Sequence, residues 1–204
     1  MEIADVTEYP FAFFPVGLNL DGRRCVVVGS DREATEKEAA LREARADVVR
    51  IPDSGSVGED DVKDAFFVIF TPQDAAGAAR LRALADRHRF LLCAIDQPQF
   101  GFIAMQAIAK AGPVRVAVST GGIAPAVGKA LRAGLQRVMD GKFIRFIDCL
   151  NAQRQRNRRA GKTAADRRAA MLGMTDGFAV DVSVRYPGWF EDEIRRSAPE
   201  AAKR

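Results

Sequence analysis

Arg24-Cys25-Val26-Val27-Val28-Gly29-Ser30-Asp31-Arg32-Glu33-Ala34 is the stretch that decides the fold. A short β-branched run ends at Gly29, and a helix-forming stretch, residues 33–44, follows at once. Strand, tight turn and helix in that order are the context that the G-x-G-x-x-G/A dinucleotide-binding fingerprint requires. Gly29 supplies the first glycine and Ala34 the permitted third position. The second position, where the main chain must approach a pyrophosphate closely, is Asp31. Its carboxylate adds bulk and negative charge where the ligand brings negative charge of its own.

Outward from this turn the same order repeats. Val48–Ile51 reads as a second strand, and Ala65–Thr71 is a continuous apolar run bounded by charge and Pro72, the pattern of a strand buried on both faces. Asp74 is placed to cap a helix that carries Ala78, Leu81, Leu84 and Ala85 on its apolar face. Phe90–Ile95 and Val114–Ser119 read as further strands. Strands alternating with helices predict parallel β-α-β units with right-handed crossovers, an α/β class with a Rossmann-type parallel sheet. After Ser119 the character changes. Thr120-Gly121-Gly122 punctuates the chain, Pro125 suits a first helical turn, and residues 126–139 place Val127, Leu131, Leu135 and Val138 on one stripe. From Lys142 onward only helical patterns appear, broken at Gly161 and around Gly173–Gly177, with a turn at Tyr186-Pro187-Gly188 before a short last helix. Ser197–Arg204 is expected to fray.

The composition bounds the class. With 204 residues, 48% hydrophobic and 28% charged, the chain has material for one full domain and a smaller one. No apolar run reaches the roughly 18 residues of a membrane span. Glu2 and Asp5 stand where a signal peptide would carry positive charge, so a cytoplasmic location is expected. The cysteines agree: Cys25 and Cys93 fall in predicted strands, Cys149 on an apolar helix face, and none has a metal-ligand spacing, so buried free thiols are expected. Charge is uneven. Residues 1–140 hold 17 Lys+Arg against 19 Asp+Glu, and residues 141–204 hold 14 against 8. A basic tail on a near-neutral body fits either an anionic partner or a solvated helical face. Nucleic acid is disfavoured as that partner. Arg154, Arg156, Arg158 and Arg159 have no interleaved aromatic platform, and Phe143, Phe146 and Phe178 suit helix-core positions.

Ligands of open parallel sheets bind beyond the carboxyl ends of the strands. Three polar features fall there: the Gly29–Asp31 turn, Asp96 directly after the strand Phe90–Ile95, and Ser119-Thr120-Gly121-Gly122 ahead of a helix N-terminus. Asp96 before Gln97-Pro98 serves either a turn or chemistry. The Ser-Thr-Gly-Gly loop is either a plain connection or a set of hydroxyl and N–H donors for an anion. His88, the only histidine, reads as a helix-dipole partner at a helix end.

Together these segments resemble the precorrin-2 dehydrogenase/sirohydrochlorin ferrochelatase family, the N-terminal half of bifunctional siroheme synthases. The opening Phe14-Pro15-Val16-Gly17-Leu18-Asn19-Leu20 with Gly22-Arg23-Arg24 looks like that family's lead into its nucleotide-binding strand. Ile95-Asp96-Gln97-Pro98 followed by Phe102-Ile103-Ala104 is similar to its V-D-x-P…F-I segment. Val116-Ala117-Val118-Ser119-Thr120-Gly121-Gly122-Ile123-Ala124-Pro125 is close to its V-A-[IV]-S-[ST]-G-G-x-S-P signature, and the match runs over roughly residues 12–140.

The resemblance implies a homodimer that oxidises precorrin-2 to sirohydrochlorin with NAD, with ferrous iron insertion in bifunctional members. It assigns Asp96 as the catalytic carboxylate and Ser119, Thr120, Gly121 and Gly122 to the substrate cleft. Gly29, Ser30, Asp31, Ala34 and Thr71 fall to the cofactor, and no residue is assigned to a metal. The expected organisation is a dinucleotide-binding domain over 1–113, a dimerisation and substrate-cleft segment over 114–140, and a basic helical domain over 141–204. The departures from the family pattern cluster in the cofactor half. G-G-G-x-V-A is here Gly29-Ser30-Asp31-Arg32-Glu33-Ala34, A-T-[DN]-[DN] is Thr71-Pro72-Gln73-Asp74, an Asn is Ala78, and the glycine of E-A-G-A is Arg45. The alternative they leave open is an NAD-independent tetrapyrrole chelatase, or a tetrapyrrole-binding protein without catalysis.

Overall fold

The computed structural model of the chain describes residues 13–197. Glu2 and Asp5, and the expected frayed end beyond Ser197, lie outside the described residues. The chain forms two compact units, residues 1–143 and 144–204.

The first unit begins with β1 (Arg24–Val28), α1 (Arg32–Glu43), β2 (Asp47–Ile51), the one-turn α2 (Glu59–Val62), β3 (Phe67–Phe70), α3 (Ala75–His88) and β4 (Leu91–Ala94). All four strands are parallel, in the order β2-β1-β3-β4. The β-branched run Cys25–Val28 is central and wholly buried. Its alternate residues feed two cores. Val26 and Val28 join Val68, Phe70, Leu81, Ala85 and Phe90 on the α3 side, while Cys25 and Val27 join Phe67, Ile69, Cys93, Ala34 and Leu41 on the α1 side. Burial on both faces explains why these strands read as unbroken apolar runs rather than alternating ones. Truncating Phe70 to Ala would open a cavity costing about 3–5 kcal/mol.

The helices start where the sequence supplies caps. Asp31 accepts from the Ala34 N–H at the head of α1, and Asp74 accepts from the Ala76 N–H at the head of α3. The last strand of the expected parallel series lies elsewhere. Val114–Val118 (β6) pairs antiparallel with Ala107–Ala111 (β5) in a separate two-stranded sheet. The loop between them is Gly112-Pro113, with Gly112 at φ +53 in the first central position, the residue a type II′ hairpin needs there. A two-residue loop leaves no length for a crossover helix, so the pair must be antiparallel. The missed strand, Ala-Ile-Ala-Lys-Ala, has weak β-propensity. α4 (Pro125–Val138) follows and closes the free edge of β5: Gln136 bonds both the N–H (3.0 Å) and the carbonyl (2.8 Å) of Lys110, and Arg132 donates to the Ile108 carbonyl at 3.2 Å. The apolar stripe on α4 is nevertheless outside, with Val127, Leu131 and Val138 all exposed.

The second unit holds most of α5 (Gly141–Arg159), with α6 (Ala164–Met174) and α7 (Gly188–Ser197). Thr163 caps α6 through the Asp166 N–H. Two expectations fail here. Cys149 is exposed, although Cys25 and Cys93 are buried and all three are free. Residues 178–187 are not helical, and their exposed Phe178, Val180, Val182, Val184 and Tyr186 alternate with polar or small residues at the period of a strand. Phe178 therefore lies beyond α6, where its ring stacks on Phe146 at 5.1 Å. Among the described residues no helix is long and apolar enough to cross a membrane.

Candidate functional site

In the order β2-β1-β3-β4 the topology switches between β1 and β3, and ligands of such sheets bind in the crevice at that point. Gly29 follows β1 and Thr71 follows β3, so the fingerprint turn stands at the switch. The Thr71 N–H donates to the Val28 carbonyl at 3.0 Å and draws the two chain ends together. Gly29 has φ +134, and a Cβ built there would collide with Thr71 Oγ1. Only glycine fits this position.

Asp31 fills the head of the turn. Its Oδ1 accepts from the Ala34 N–H at 2.6 Å, and its Oδ2 accepts from the Thr71 hydroxyl at 2.9 Å. The Ala34 N–H, followed by the Thr71 hydroxyl and nearby Arg50, holds the carboxyl below the usual aspartate range, so it is ionised at neutral pH. The Arg50 guanidinium braces the main chain, donating to the carbonyls of Gly29 (3.1 Å) and Asp31 (3.3 Å). The turn thus fits a dinucleotide at Gly29 and Thr71 but not at Asp31, whose carboxylate takes the helix N–H a diphosphate would use.

The other two polar features meet in a second place. A cleft of about 640 Å³ is lined by Asp96, Ser119, Thr120, Gly121 and Gly122, with Lys37 and Glu33 of α1 among its other walls. Asp96 is exposed and sits at φ +56, in the turn closed by the Gln97 N–H on the Ala94 carbonyl at 3.2 Å. Aspartate tolerates that region better than most residues, yet it is uncommon for any non-glycine. Gln97 anchors the turn from below, being buried and donating to the Pro72 carbonyl at 2.9 Å. Across the cleft Gly121 (φ +61) and Gly122 (φ +80) bend the chain into α4, and Ser119 Oγ accepts from the Gly121 N–H at 3.3 Å. Ala124 caps α4 without a side-chain acceptor; at the cleft wall α4 presents Pro125, which has no N–H, and Gly128, whose N–H is taken by the Ala124 carbonyl at 3.1 Å.

Asp96 and the Ser119–Gly122 loop therefore share one cavity, whereas Gly29, Ser30, Asp31 and Thr71 are not among its lining residues. Lys37 belongs to no sequence motif, yet it lines the cleft. It lies on α1 one turn beyond Glu33, which it pairs with at 3.2 Å, and it supplies a cation to the cleft wall. Its signal was the i,i+4 spacing from a residue of the fingerprint turn. Cys93 also lines the cleft, but burial pushes its thiol up to about 11, which keeps it protonated and unreactive. His88 lies away from these features at the end of α3, where its ring bonds Glu59 at 2.6 Å. Among the described residues no group of three His, Cys, Asp or Glu side chains could hold a metal ion.

Comparison with known proteins bears on both places. Residues 16–107 match a family model described as "Putative NAD(P)-binding". The siroheme synthase of Nitrosococcus oceani is 30% identical over 152 residues, covering 66% of this chain and 32% of the relative. That of Nitrosospira multiformis is 27% identical over 218 residues, covering 94% of this chain and 46% of the relative. The chain thus spans less than half the length of these curated relatives. Among solved structures, one titled "SirC, precorrin-2 dehydrogenase" superposes with a TM-score of 0.65 at 19% identity, over 81% of this chain and 90% of the other, a likeness of fold.

Proposed function

We propose that this chain is a member of the precorrin-2 dehydrogenase family and oxidises precorrin-2 to sirohydrochlorin with NAD, a reading supported by its NAD(P)-binding family match and its likeness to siroheme synthases. The observation that carries the reading is the shared cleft: Asp96, at φ +56 beyond β4, lines the same cavity as the Ser119–Gly122 loop. Oxidation removes two hydrogens from the macrocycle, and NAD supplies the hydride acceptor. The second hydrogen leaves as a proton. Asp96 is the group in the cleft suited to take it, an exposed carboxylate able to pass the proton on to solvent.

The substrate class explains the rest of the wall. Precorrin-2 bears eight carboxylates, for which Lys37 and the Ser119 and Thr120 hydroxyls are fitting donors. The excess of Lys and Arg over residues 141–204 raises the local concentration of such an anion. Homodimerisation through the exposed α4 stripe of Val127, Leu131 and Val138 belongs to the proposal, as does a cytoplasmic setting, in keeping with three free cysteines.

A second reading has one observation in its favour. With Asp31 on the Ala34 N–H, the chain would insert a metal ion into the tetrapyrrole or hold the macrocycle without using NAD. Incubation of the purified chain with precorrin-2, with and without NAD, separates the two. Sirohydrochlorin formed only with NAD supports the dehydrogenase; Asp96-dependent metal insertion with no oxidation supports the alternative.

A further inference from the structure

We propose that the Asp31 carboxylate is an internal stand-in for the cofactor's diphosphate, so that a dinucleotide enters this site only by displacing it. The inference rests on the proposed use of NAD and adds the residue that sets its affinity. Three features of the turn carry it. The carboxylate is held at both oxygens, by the Ala34 N–H (2.6 Å) and the Thr71 hydroxyl (2.9 Å). These donors stand at the topological switch point, where a bound diphosphate takes its hydrogen bonds from the helix head. Gly29 keeps the close approach to Thr71 that no other residue allows, so the first glycine of the fingerprint turn retains its geometry.

The path of displacement follows from what is fixed and what is free. Arg50 bonds the carbonyls of Gly29 and Asp31, and its Nη1 also reaches Thr35 Oγ1 at 3.0 Å, so the main chain of the turn is braced. The Asp31 side chain is exposed. Rotation about its Cα–Cβ bond alone releases both donors and turns the carboxylate toward water. Entry of the anion then requires two hydrogen bonds to break at Asp31 before they form to phosphate, and the displaced charge stays nearby. Both effects weaken binding relative to a glycine at this position.

Titration calorimetry of NAD on the full chain and on Asp31→Gly and Asp31→Asn tests this. Asp31→Gly is expected to lower Kd by at least about tenfold. Asp31→Asn, which can still cap the helix but carries no charge, is expected to fall between the two. Inorganic pyrophosphate, a probe of the diphosphate position alone, is expected to bind Asp31→Gly and not the wild type at millimolar concentration. Equal NAD affinity in all three proteins overturns the inference and leaves the dehydrogenase reading standing. No binding by any of them at millimolar NAD overturns that reading and the inference with it. Should Asp31→Gly fail to fold, the Asn variant decides: affinity no better than wild type overturns the inference.

Discussion

Asp96 and Asp31 are both aspartates at the carboxyl ends of parallel strands, and their surroundings give them opposite roles. Asp96 lines the cleft in a left-handed turn and is exposed. Asp31 has spent its oxygens on the Ala34 N–H and the Thr71 hydroxyl. Its depressed pKa makes it a stability determinant with a definite sign. The folded chain favours the ionised form more than the unfolded chain does. Its contribution is therefore full above the ordinary aspartate range near 4 and is lost as pH falls toward the lower folded value. Asp31→Ala is expected to cost about 1 kcal/mol at pH 7 through the lost cap. Thermal melts between about pH 5 and pH 2 should show a shallower acid decline than in the wild type. Gly29→Ala is expected to cost about 3 kcal/mol in urea titrations, because the added methyl group meets Thr71 Oγ1 in a backbone region that alanine rarely adopts.

At the scale of the element, helix ends show where this chain departs from the pattern that the resemblance implies. Arg45, in place of the glycine of E-A-G-A, follows α1 at φ +62, and its main chain still closes the helix, the Ala46 N–H donating to the Leu41 carbonyl at 3.1 Å. Arginine pays a Cβ penalty there that glycine does not, and its exposed pair with Asp21 returns little. Arg45→Gly is expected to stabilise the fold by about 1 kcal/mol, read as a rise in urea midpoint at unchanged slope. Elements with a strong local signature were legible in the sequence. Val26–Val28, Phe67–Phe70 and the Asp74 cap each announce themselves within a few residues. The β5–β6 hairpin did not, since its first strand is alanine-rich and Val114–Val118 resembles a core strand until Gly112-Pro113 is read as a two-residue turn. The stretch 178–187 is hidden for a related reason: its period-two pattern is short and flanked by Gly177 and Gly188, which read as breaks between helices.

At the scale of the whole molecule, the motifs gave the residues of the cleft but not its walls. Asp96 and Ser119–Gly122 were legible because each sits in a short signature, whereas Lys37 joins them only through the packing of α1. The exposure of the α4 stripe was likewise hidden, since periodicity tells that a face is apolar and not what covers it. The proposed homodimer supplies that cover. Leu131→Asp is expected to shift the chain from dimer to monomer in sedimentation equilibrium; a wild type that sediments as a monomer throughout would remove this part of the account.

The central claim, that Asp96 removes a proton from a bound tetrapyrrole during NAD-dependent oxidation, is tested most directly by the turnover of Asp96→Asn. Asparagine also tolerates a positive φ, so the turn is preserved while the proton acceptor is lost. With precorrin-2 and NAD, the appearance of sirohydrochlorin is expected to slow by about 10²-fold or more at unchanged tetrapyrrole affinity. Turnover by Asp96→Asn at the wild-type rate would contradict the claim.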